Sequence, residues 1–115
     1  MKILIVDDEP SLVELQKELL EAEGFEVITA FSGYKALELI SSSEPDIILS
    51  DVRMPNGDGI YLLEESRKVC DTPMVLVSGY TDITEEQALA KGAAAFLPKP
   101  VRLNNLVDTL RSQLE

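Results

Sequence analysis

Acidic, hydroxyl and ammonium side chains each stand at the end of, or just after, a short strand-like run of this 115-residue sequence. They are Asp7 and Asp8, Asp51, Ser78 and Lys99. Three carboxylates form an all-oxygen donor set that suits Mg²⁺, which takes one or two carboxylates together with phosphate oxygens. The chain has no histidine, so the commonest zinc sites and the catalytic triads that need imidazole are excluded.

Taken singly, most of these residues have an ordinary structural explanation. Asp7 and Asp8 could offset the dipole at the start of a helix. Ser78 could cap a turn, and Lys99 could be a surface lysine. Asp51 is harder to explain in this way, because an ionised carboxylate after a buried strand costs free energy unless it is solvated, paired or metal-bound.

Taken together, the same groups describe an acceptor for a phosphoryl group. Asp51 would be the nucleophile, Mg²⁺ would shield the incoming phosphate, and Lys99 and Ser78 would hold its oxygens. Phosphoryl transfer depends on positioning and charge neutralisation more than on covalent machinery. Without a histidine of its own, the chain would receive the group from a partner.

The elements that must position these groups alternate between strand and helix. Short β-favouring runs predict five strands, at residues 3–6, 25–30, 46–51, 74–78 and 93–97. Four of the five helices between and after them carry clear apolar stripes: Leu12, Leu15, Leu19 and Ala22; Ala36, Leu37 and Ile40; Leu62, Leu63 and Val69; and Leu103, Leu106, Val107, Leu110 and Leu114. This alternation indicates an α/β domain with one parallel sheet covered on both faces. Sites in such sheets form beyond the C-terminal ends of the strands, where the polar groups stand.

Local signals predict where several of these elements begin. Ser32 is a candidate N-cap for the second helix. Asp82 is predicted to cap the fourth helix, with Glu85 completing a capping box. That helix, at residues 85–91, has few large apolar residues, so we expect loose packing there. The second strand alternates in polarity, which favours a place near the sheet edge.

Composition limits which binding partners and which cellular compartment are expected for the protein. The net charge of −11 and pI near 4.3 argue against direct binding of nucleic acid, which needs a basic face. A single cysteine, Cys70, fits a reducing, cytoplasmic setting. No apolar run approaches the roughly 20 residues of a membrane span, so no membrane insertion is expected. The strand-like run that follows Met1 predicts no signal peptide.

These motifs together resemble the receiver domain of two-component response regulators over essentially the whole chain. The resemblance is carried by Ile5-Val6-Asp7-Asp8-Glu9-Pro10, residues 46–55, Gly57-Asp58-Gly59, Val77-Ser78-Gly79, Lys91-Gly92-Ala93 and Phe96-Leu97-Pro98-Lys99-Pro100. It implies one receiver domain over residues 1–115, with a flavodoxin-like doubly wound (βα)5 fold. The implied sheet has five parallel strands in the order 2-1-3-4-5.

The resemblance also implies roles for the acids and the loop after them. Asp51 matches the phosphorylated aspartate. Asp7 and Asp8 match the acidic pair that holds Mg²⁺, one of them through water, and Arg53 stands where a backbone carbonyl completes the metal site. Arg53 and Tyr80 also match positions that flank the attacking water and would set the lifetime of the acyl phosphate.

A switch is implied by the remaining matches. Lys99 matches the lysine that contacts the phosphoryl group, Ser78 the switch hydroxyl, and Phe96 the aromatic switch position, although Phe96 could equally be a core residue. Phosphorylation adds a charge of about −1.5 to −2, which would draw Ser78 inward and let Phe96 turn. The face formed by the fourth helix, fifth strand and fifth helix has two conformations in this view, and phosphorylation would shift the equilibrium between them.

The implied partners are a sensor histidine kinase or histidine phosphotransfer protein, and a downstream effector domain or protein. Enzyme activity would be limited to self-phosphorylation from a phosphodonor and autodephosphorylation. The sequence leaves open the cognate kinase, the output, the oligomeric state and the cis or trans state of Pro100. It also leaves open whether the chain acts alone, in a phosphorelay, or as part of a longer protein.

Three alternatives are weighed against this interpretation. A Mg²⁺-dependent phosphatase of the haloacid dehalogenase kind needs a second aspartate two residues after the nucleophile, where this chain has Arg53. A nucleotide-binding module would carry a G-x-G-x-x-G or G-x-x-x-x-G-K-[ST] motif, and the sequence has neither. An interaction module that never takes phosphate would not need the complete set of site residues.

Overall fold

Strands and helices alternate throughout the computed structural model of the chain, which describes residues 1–79 and 83–114. The strands are β1 (Lys2–Val6), β2 (Glu26–Ala30), β3 (Ile47–Asp51), β4 (Met74–Ser78) and β5 (Ala95–Pro98). The helices are α1 (Pro10–Ala22), α2 (Gly33–Ser43), α3 (Gly59–Ser66), α4 (Glu85–Ala90) and α5 (Leu103–Leu114). Within the described residues, no helix is both long enough and apolar enough to cross a membrane.

The five strands form one parallel sheet in the order β2-β1-β3-β4-β5. This order confirms the predicted doubly wound, flavodoxin-like α/β fold and the place of β2 at an edge. β1 pairs with β3 so that Val6 lies opposite Ser50. Asp7 directly follows β1 and Asp51 is the last residue of β3, so the pairing delivers both aspartates to the same level of the sheet edge.

The core lies on both faces of the sheet, which explains why the central strands are apolar throughout. Alternate residues of β1 belong to opposite clusters, as the period of a strand requires. Ile3 and Ile5 pack with the buried residues of α1 and α5. Leu4 and Val6 pack with those of α2, α3 and α4.

The predicted apolar stripe of α1 is wrong in its phase. Leu15 is 52% exposed and Leu19 is 36% exposed, whereas Val13 and Leu20 are buried. The buried stripe passes through Gln16, which is half-buried. Because one helical repeat of the true stripe is polar, the neighbouring leucines formed the more continuous apolar pattern in the sequence.

The predicted inward position of Val69 is also wrong. α3 ends at Ser66, and Val69 lies beyond it with 64% of its surface exposed.

The start of α2 agrees with prediction, because the Ser32 hydroxyl accepts a hydrogen bond from the Lys35 amide at 3.1 Å. The C-terminal end of a helix is harder to predict than its N-cap, because apolar residues can continue at helical spacing after the backbone has stopped being helical.

The predicted cap of α4 is replaced by one that starts later. Thr84 is the N-cap: its hydroxyl accepts from the Gln87 amide, and the Gln87 side chain accepts from the Thr84 amide. Glu85 is therefore the first helical residue rather than the reciprocal partner, and Asp82 lies outside the described residues. The spacing of the true capping box is the same, which is why Asp82 could be mistaken for its first member. Ala88 is the buried residue of this short helix.

The phase of α1 is tested by comparing Leu20→Ala with Leu19→Ala. Leu20→Ala leaves a cavity in the core, so we expect it to lower the free energy of unfolding by about 2–5 kcal/mol. Leu19→Ala removes a partly exposed side chain and should cost about 1 kcal/mol or less. Urea unfolding followed by circular dichroism measures both, and a larger loss for Leu19→Ala would restore the predicted stripe.

Candidate functional site

Three carboxylates meet at the C-terminal edge of β1 and β3. Asp7, Asp8 and Asp51 each offer an oxygen, and these oxygens lie within 4.8 Å of one another. Asp7 is buried, Asp51 is half-buried and Asp8 is exposed. The Asp7 Oδ1 atom accepts a hydrogen bond from the Glu9 amide at 3.1 Å. A cluster of hard oxygen donors that grades from buried to exposed has the chemistry to hold a divalent cation.

The environment of Asp7 disfavours its negative charge. Burial raises the pKa of the Asp7 carboxyl above its ordinary value, while the hydrogen bond from the Glu9 amide opposes that rise. The negative charge of Asp51 raises the pKa of Asp7 further. A cation among these acids would relieve the repulsion that the fold creates by bringing them together.

Lys99 supplies a positive charge to Asp51 from the end of β5. Its Nζ atom lies 2.9 Å from Asp51 Oδ2, and the Asp51 side chain is only 12% exposed. Partial burial lowers the pKa of Lys99, but the hydrogen bond and charge of Asp51 outweigh it, and the pKa is raised overall. The Lys99–Pro100 peptide bond is cis.

The Lys99 side chain reaches Asp51 by crossing the end of β4, which lies between β5 and β3. The Lys99 amide donates to the Ser78 carbonyl at 2.9 Å and holds the two strand ends together. A Cβ atom at Gly79 would lie 3.3 Å from Lys99 Cδ, which is closer than most such contacts. Gly79 therefore gives the aliphatic part of the lysine room to pass.

Five of the predicted site residues, Asp8, Asp51, Arg53, Ser78 and Lys99, line one open cleft of about 460 Å³. Its walls are formed by Asp8, Glu9, Asp51, Arg53, Ser78, Gly79 and Lys99. Ser78 is buried at the end of β4, and Asp51 reaches solvent through the cleft. Phe96 is half-buried and packs against the core cluster on the α4 side, so it is not part of the cleft wall. Tyr80 lies outside the described residues.

The comparison with protein families matches residues 3–111 to the response regulator receiver domain. The chain belongs to this family. It is therefore a signalling domain of the two-component type, as the sequence motifs predicted. The described architecture and the acid cluster are both consistent with that assignment.

The curated relatives are longer than this receiver domain. The chain is 41% identical to the transcriptional regulatory protein CpxR of Escherichia coli K12 over 114 residues, which are 98% of this chain and 49% of CpxR. A CpxR homolog of Haemophilus influenzae is also 41% identical, over 98% of this chain and 50% of its own length. The chain thus spans about half the length of the curated relatives it matches.

Solved receiver domains have nearly the same backbone. The BeF3-activated N-terminal receiver domain of Klebsiella pneumoniae RstA superposes with a TM-score of 0.93 at 28% identity, covering 100% of this chain and 99% of that one. The receiver domain of Francisella response regulator 1452 gives a TM-score of 0.92 at 32% identity, covering 98% and 95%. A CheY-like receiver protein from Methanospirillum hungatei gives 0.90 at 32% identity, covering 98% and 92%.

Contacts of Gly59 and Ser50 with the backbone at Asp51 and Val52 were not predicted from the sequence. The Gly59 amide donates to the Val52 carbonyl at 2.9 Å, and a Cβ atom at Gly59 would lie 2.4 Å from the Asp51 carbonyl oxygen. The buried Ser50 hydroxyl donates to the same Asp51 oxygen at 2.9 Å. The turn-rich sequence 57–59 signals a loop, but the close approach to Asp51 requires the sheet register and is visible only in three dimensions.

The cost of the buried acid is tested with Asp7→Asn in the absence of divalent cations. Asparagine keeps the oxygen that accepts from Glu9 but removes the charge. We expect the free energy of unfolding at pH 7 to rise, because the substitution removes a charge that burial and the nearby Asp51 disfavour. Urea unfolding in a chelating buffer measures the change, with the exposed Asp71→Asn as the matched control.

The same pair of proteins gives a pH dependence whose sign follows from the raised pKa of Asp7. Above that pKa, the folded state carries the unfavourable charge. As the pH falls through it, the wild-type folded state takes up a proton and the penalty disappears. The advantage of Asp7→Asn should therefore shrink toward acidic pH, and a constant or growing advantage would contradict this account of Asp7.

Proposed function

We propose that Asp51 accepts a phosphoryl group from a phosphohistidine of a partner protein. The observation that carries this proposal is the pairing of Asp51 with Lys99 at 2.9 Å beside the acid cluster, at the mouth of an open cleft. An oxygen of Asp51 would form the new bond to phosphorus while the bond from phosphorus to the donor nitrogen breaks. The partner's imidazole is the leaving group.

Lys99 and Ser78 are proposed to hold the phosphoryl oxygens. Lys99 is already within hydrogen-bonding distance of Asp51, so a short movement of its ammonium would reach an oxygen bound to the new phosphorus. Ser78 lines the same cleft from the neighbouring strand. Both groups would donate to charge that the transferred group brings, which is the main requirement of phosphoryl transfer.

The residues present fit Mg²⁺, which we propose as the cofactor. Asp7, Asp8 and Asp51 would provide carboxylate oxygens, and Arg53 in the adjoining loop would provide its backbone carbonyl. The fit rests on the convergent hard donors and on the raised pKa of Asp7, because a cation would offset the unfavourable charge. When bound, Mg²⁺ supplies charge neutralisation for the phosphoryl oxygens.

The proposed switch connects Ser78 to Phe96 across adjacent strands. In the β4–β5 pairing, Leu76 lies opposite Phe96 and Ser78 lies opposite Pro98. Phe96 packs on the α4 side of the sheet, where α4 itself buries Ala88 alone. A pull on Ser78 would thus be passed to the face formed by α4, β5 and α5, where α4 offers little packing to resist it.

The lifetime of the acyl phosphate and the identity of the partners also belong to this proposal. Arg53 lines the cleft beside Asp51, which supports a role in controlling the approach of water, and Tyr80 is proposed for the same role from the sequence alone. The donor would be a sensor histidine kinase or histidine phosphotransfer protein in the cytoplasm. Because CpxR is named a transcriptional regulatory protein, a downstream effector is expected, and the receiver itself is not proposed to contact nucleic acid.

Phosphoryl transfer is tested by incubating the chain with acetyl phosphate and Mg²⁺ and measuring its intact mass. We expect the wild type and Asp71→Asn to gain the mass of one phosphoryl group. Asp51→Asn should gain none, because an amide is not a nucleophile for phosphorus. Omitting Mg²⁺ or adding a chelator should abolish the gain. Phosphorylation of Asp51→Asn at the wild-type rate would show that another residue is the acceptor.

The switch is tested with Ser78→Ala in amide NMR spectra. The wild type should show shift differences between its phosphorylated and unphosphorylated forms across α4, β5 and α5. Without the hydroxyl, those differences should become much smaller while phosphorylation of Asp51 itself persists. Ser42→Ala, an exposed serine of α2, should behave as the wild type. Undiminished shifts in Ser78→Ala would show that Ser78 does not couple the two.

A further inference from the structure

The first turn of α2 is hydrogen-bonded to the loop that follows Asp51. The Gly33 amide donates to the Gly57 carbonyl at 2.7 Å, and the Tyr34 amide donates to the Asn56 carbonyl at 3.2 Å. The first amides of a helix have no partner within the helix itself. Here two of them are used to hold the loop at residues 52–58, which connects β3 to α3.

This contact is so close that it excludes a side chain at its centre. Gly33 is buried, and a Cβ atom built on it would lie 2.4 Å from the Gly57 carbonyl oxygen and 2.8 Å from the carbonyl carbon. Both neighbours are backbone atoms, which cannot move aside without moving the loop. Any residue larger than glycine at position 33 must therefore displace the tip of the loop.

Two aromatic rings enclose the same loop tip. The rings of Tyr34 and Tyr61 pack edge to face, with centroids 5.0 Å apart and planes at 84°. A Cβ atom at Gly57 would lie 2.9 Å from Tyr34 Cδ1 and 3.1 Å from Tyr61 Cδ2. Asn56 and Gly57 have φ angles of 59° and 92°, so the turn itself needs residues that tolerate the left-handed region.

The other end of the loop is held against Asp51 by the close approach of Gly59 to the Asp51 carbonyl. The loop at residues 52–58 is thus anchored at both ends, with Arg53 between the anchors. The proposed cation site takes Asp51 from one end of this loop and the Arg53 carbonyl from within it. A displacement of the loop would therefore move the Arg53 carbonyl relative to Asp51.

We infer that Gly33 and Tyr34 are positioning residues for the cation site, acting through the loop at residues 52–58. This inference rests on the proposed function, because it assumes that Asp51 and the Arg53 carbonyl bind the cation. Ligand sets must be held to within about 0.5 Å of the productive geometry. Supporting contacts around metal ligands commonly change metal affinity by about 10–100-fold when they are removed.

The inference is tested by titrating each purified variant with Mg²⁺, using isothermal calorimetry and amide NMR shifts. We expect Gly33→Ala to raise the Mg²⁺ dissociation constant roughly tenfold. Tyr34→Ala, which removes the ring but keeps the amide, should raise it several-fold. Tyr34→Phe keeps the edge-to-face contact and should match the wild type. In the metal-free state, Gly33→Ala should already shift the amide resonances of residues 52–58.

A matched control separates positioning from general stability. Ile40→Val removes one buried methyl group from the same helix, about two turns beyond Gly33. It should lower the urea midpoint without changing Mg²⁺ affinity. A wild-type dissociation constant in both Gly33→Ala and Tyr34→Ala would overturn the inference. So would an equal loss of affinity in Ile40→Val, because the effect would then follow stability alone.

Measurements on the wild-type protein test the proposed function separately from the positioning inference. If the wild type shows no saturable binding of Mg²⁺, both the cation site and its positioning are wrong. If the wild type binds Mg²⁺ and the ranking of variants holds, but acetyl phosphate transfers nothing to Asp51, the positioning inference is supported and the proposed phosphoryl transfer fails.

Discussion

The ion pair between Lys99 and Asp51 is the interaction on which the functional edge of this receiver domain depends. Three carboxylates are brought within 4.8 Å of one another, and their mutual repulsion must be offset for the fold to hold them there. Lys99 provides the permanent part of that compensation at 2.9 Å. Most of the local structure, from Gly79 beneath the lysine to the amide of Glu9 on Asp7, serves to make this arrangement of charges possible.

The topology of the sheet explains how distant parts of the chain reach the same point. β1 and β3 are neighbours although β2 lies between them in sequence, and their register places Asp7 and Asp51 side by side. β4 and β5 follow on the same side of β3, so Lys99 must cross the end of one strand to reach Asp51. Strand order reverses between β1 and β3, and this is where open α/β sheets generally hold their ligands.

The sequence was sufficient for the order of elements and for the residues that meet at the edge, because each signal is local and strong. Strands buried on both faces are apolar throughout, and a polar residue directly after such a strand must stand at the sheet edge. The phase of α1 was not predictable in this way, because Gln16 interrupts the true buried stripe while Leu15 and Leu19 complete a false one. Helical periodicity alone cannot choose between two stripes when the residue that decides is polar.

Contacts between elements that are distant in the sequence could not be predicted either. The need for glycine at position 33 arises from the Gly57 carbonyl, 24 residues further along the chain, and no local pattern contains both. The same holds for Gly59 and the Asp51 carbonyl. The turn composition indicates a loop at residues 57–59, but only the packing of the elements determines that positions 33 and 59 require glycine.

The two sides of the acid site differ in how tightly they are packed, and this difference bears on how a signal could travel. On the α2 side, the loop after Asp51 is fixed by backbone hydrogen bonds, glycine contacts and the Tyr34–Tyr61 pair. On the α4 side, the described part of the chain offers a six-residue helix whose buried residue is Ala88. A charge added at Asp51, as proposed, would act on both sides and would more readily reorganise the one with fewer contacts to lose. The rigid α2 side would then keep the ligands in place while the α4 side responds, which is what a phosphorylation switch requires if Asp51 is the acceptor.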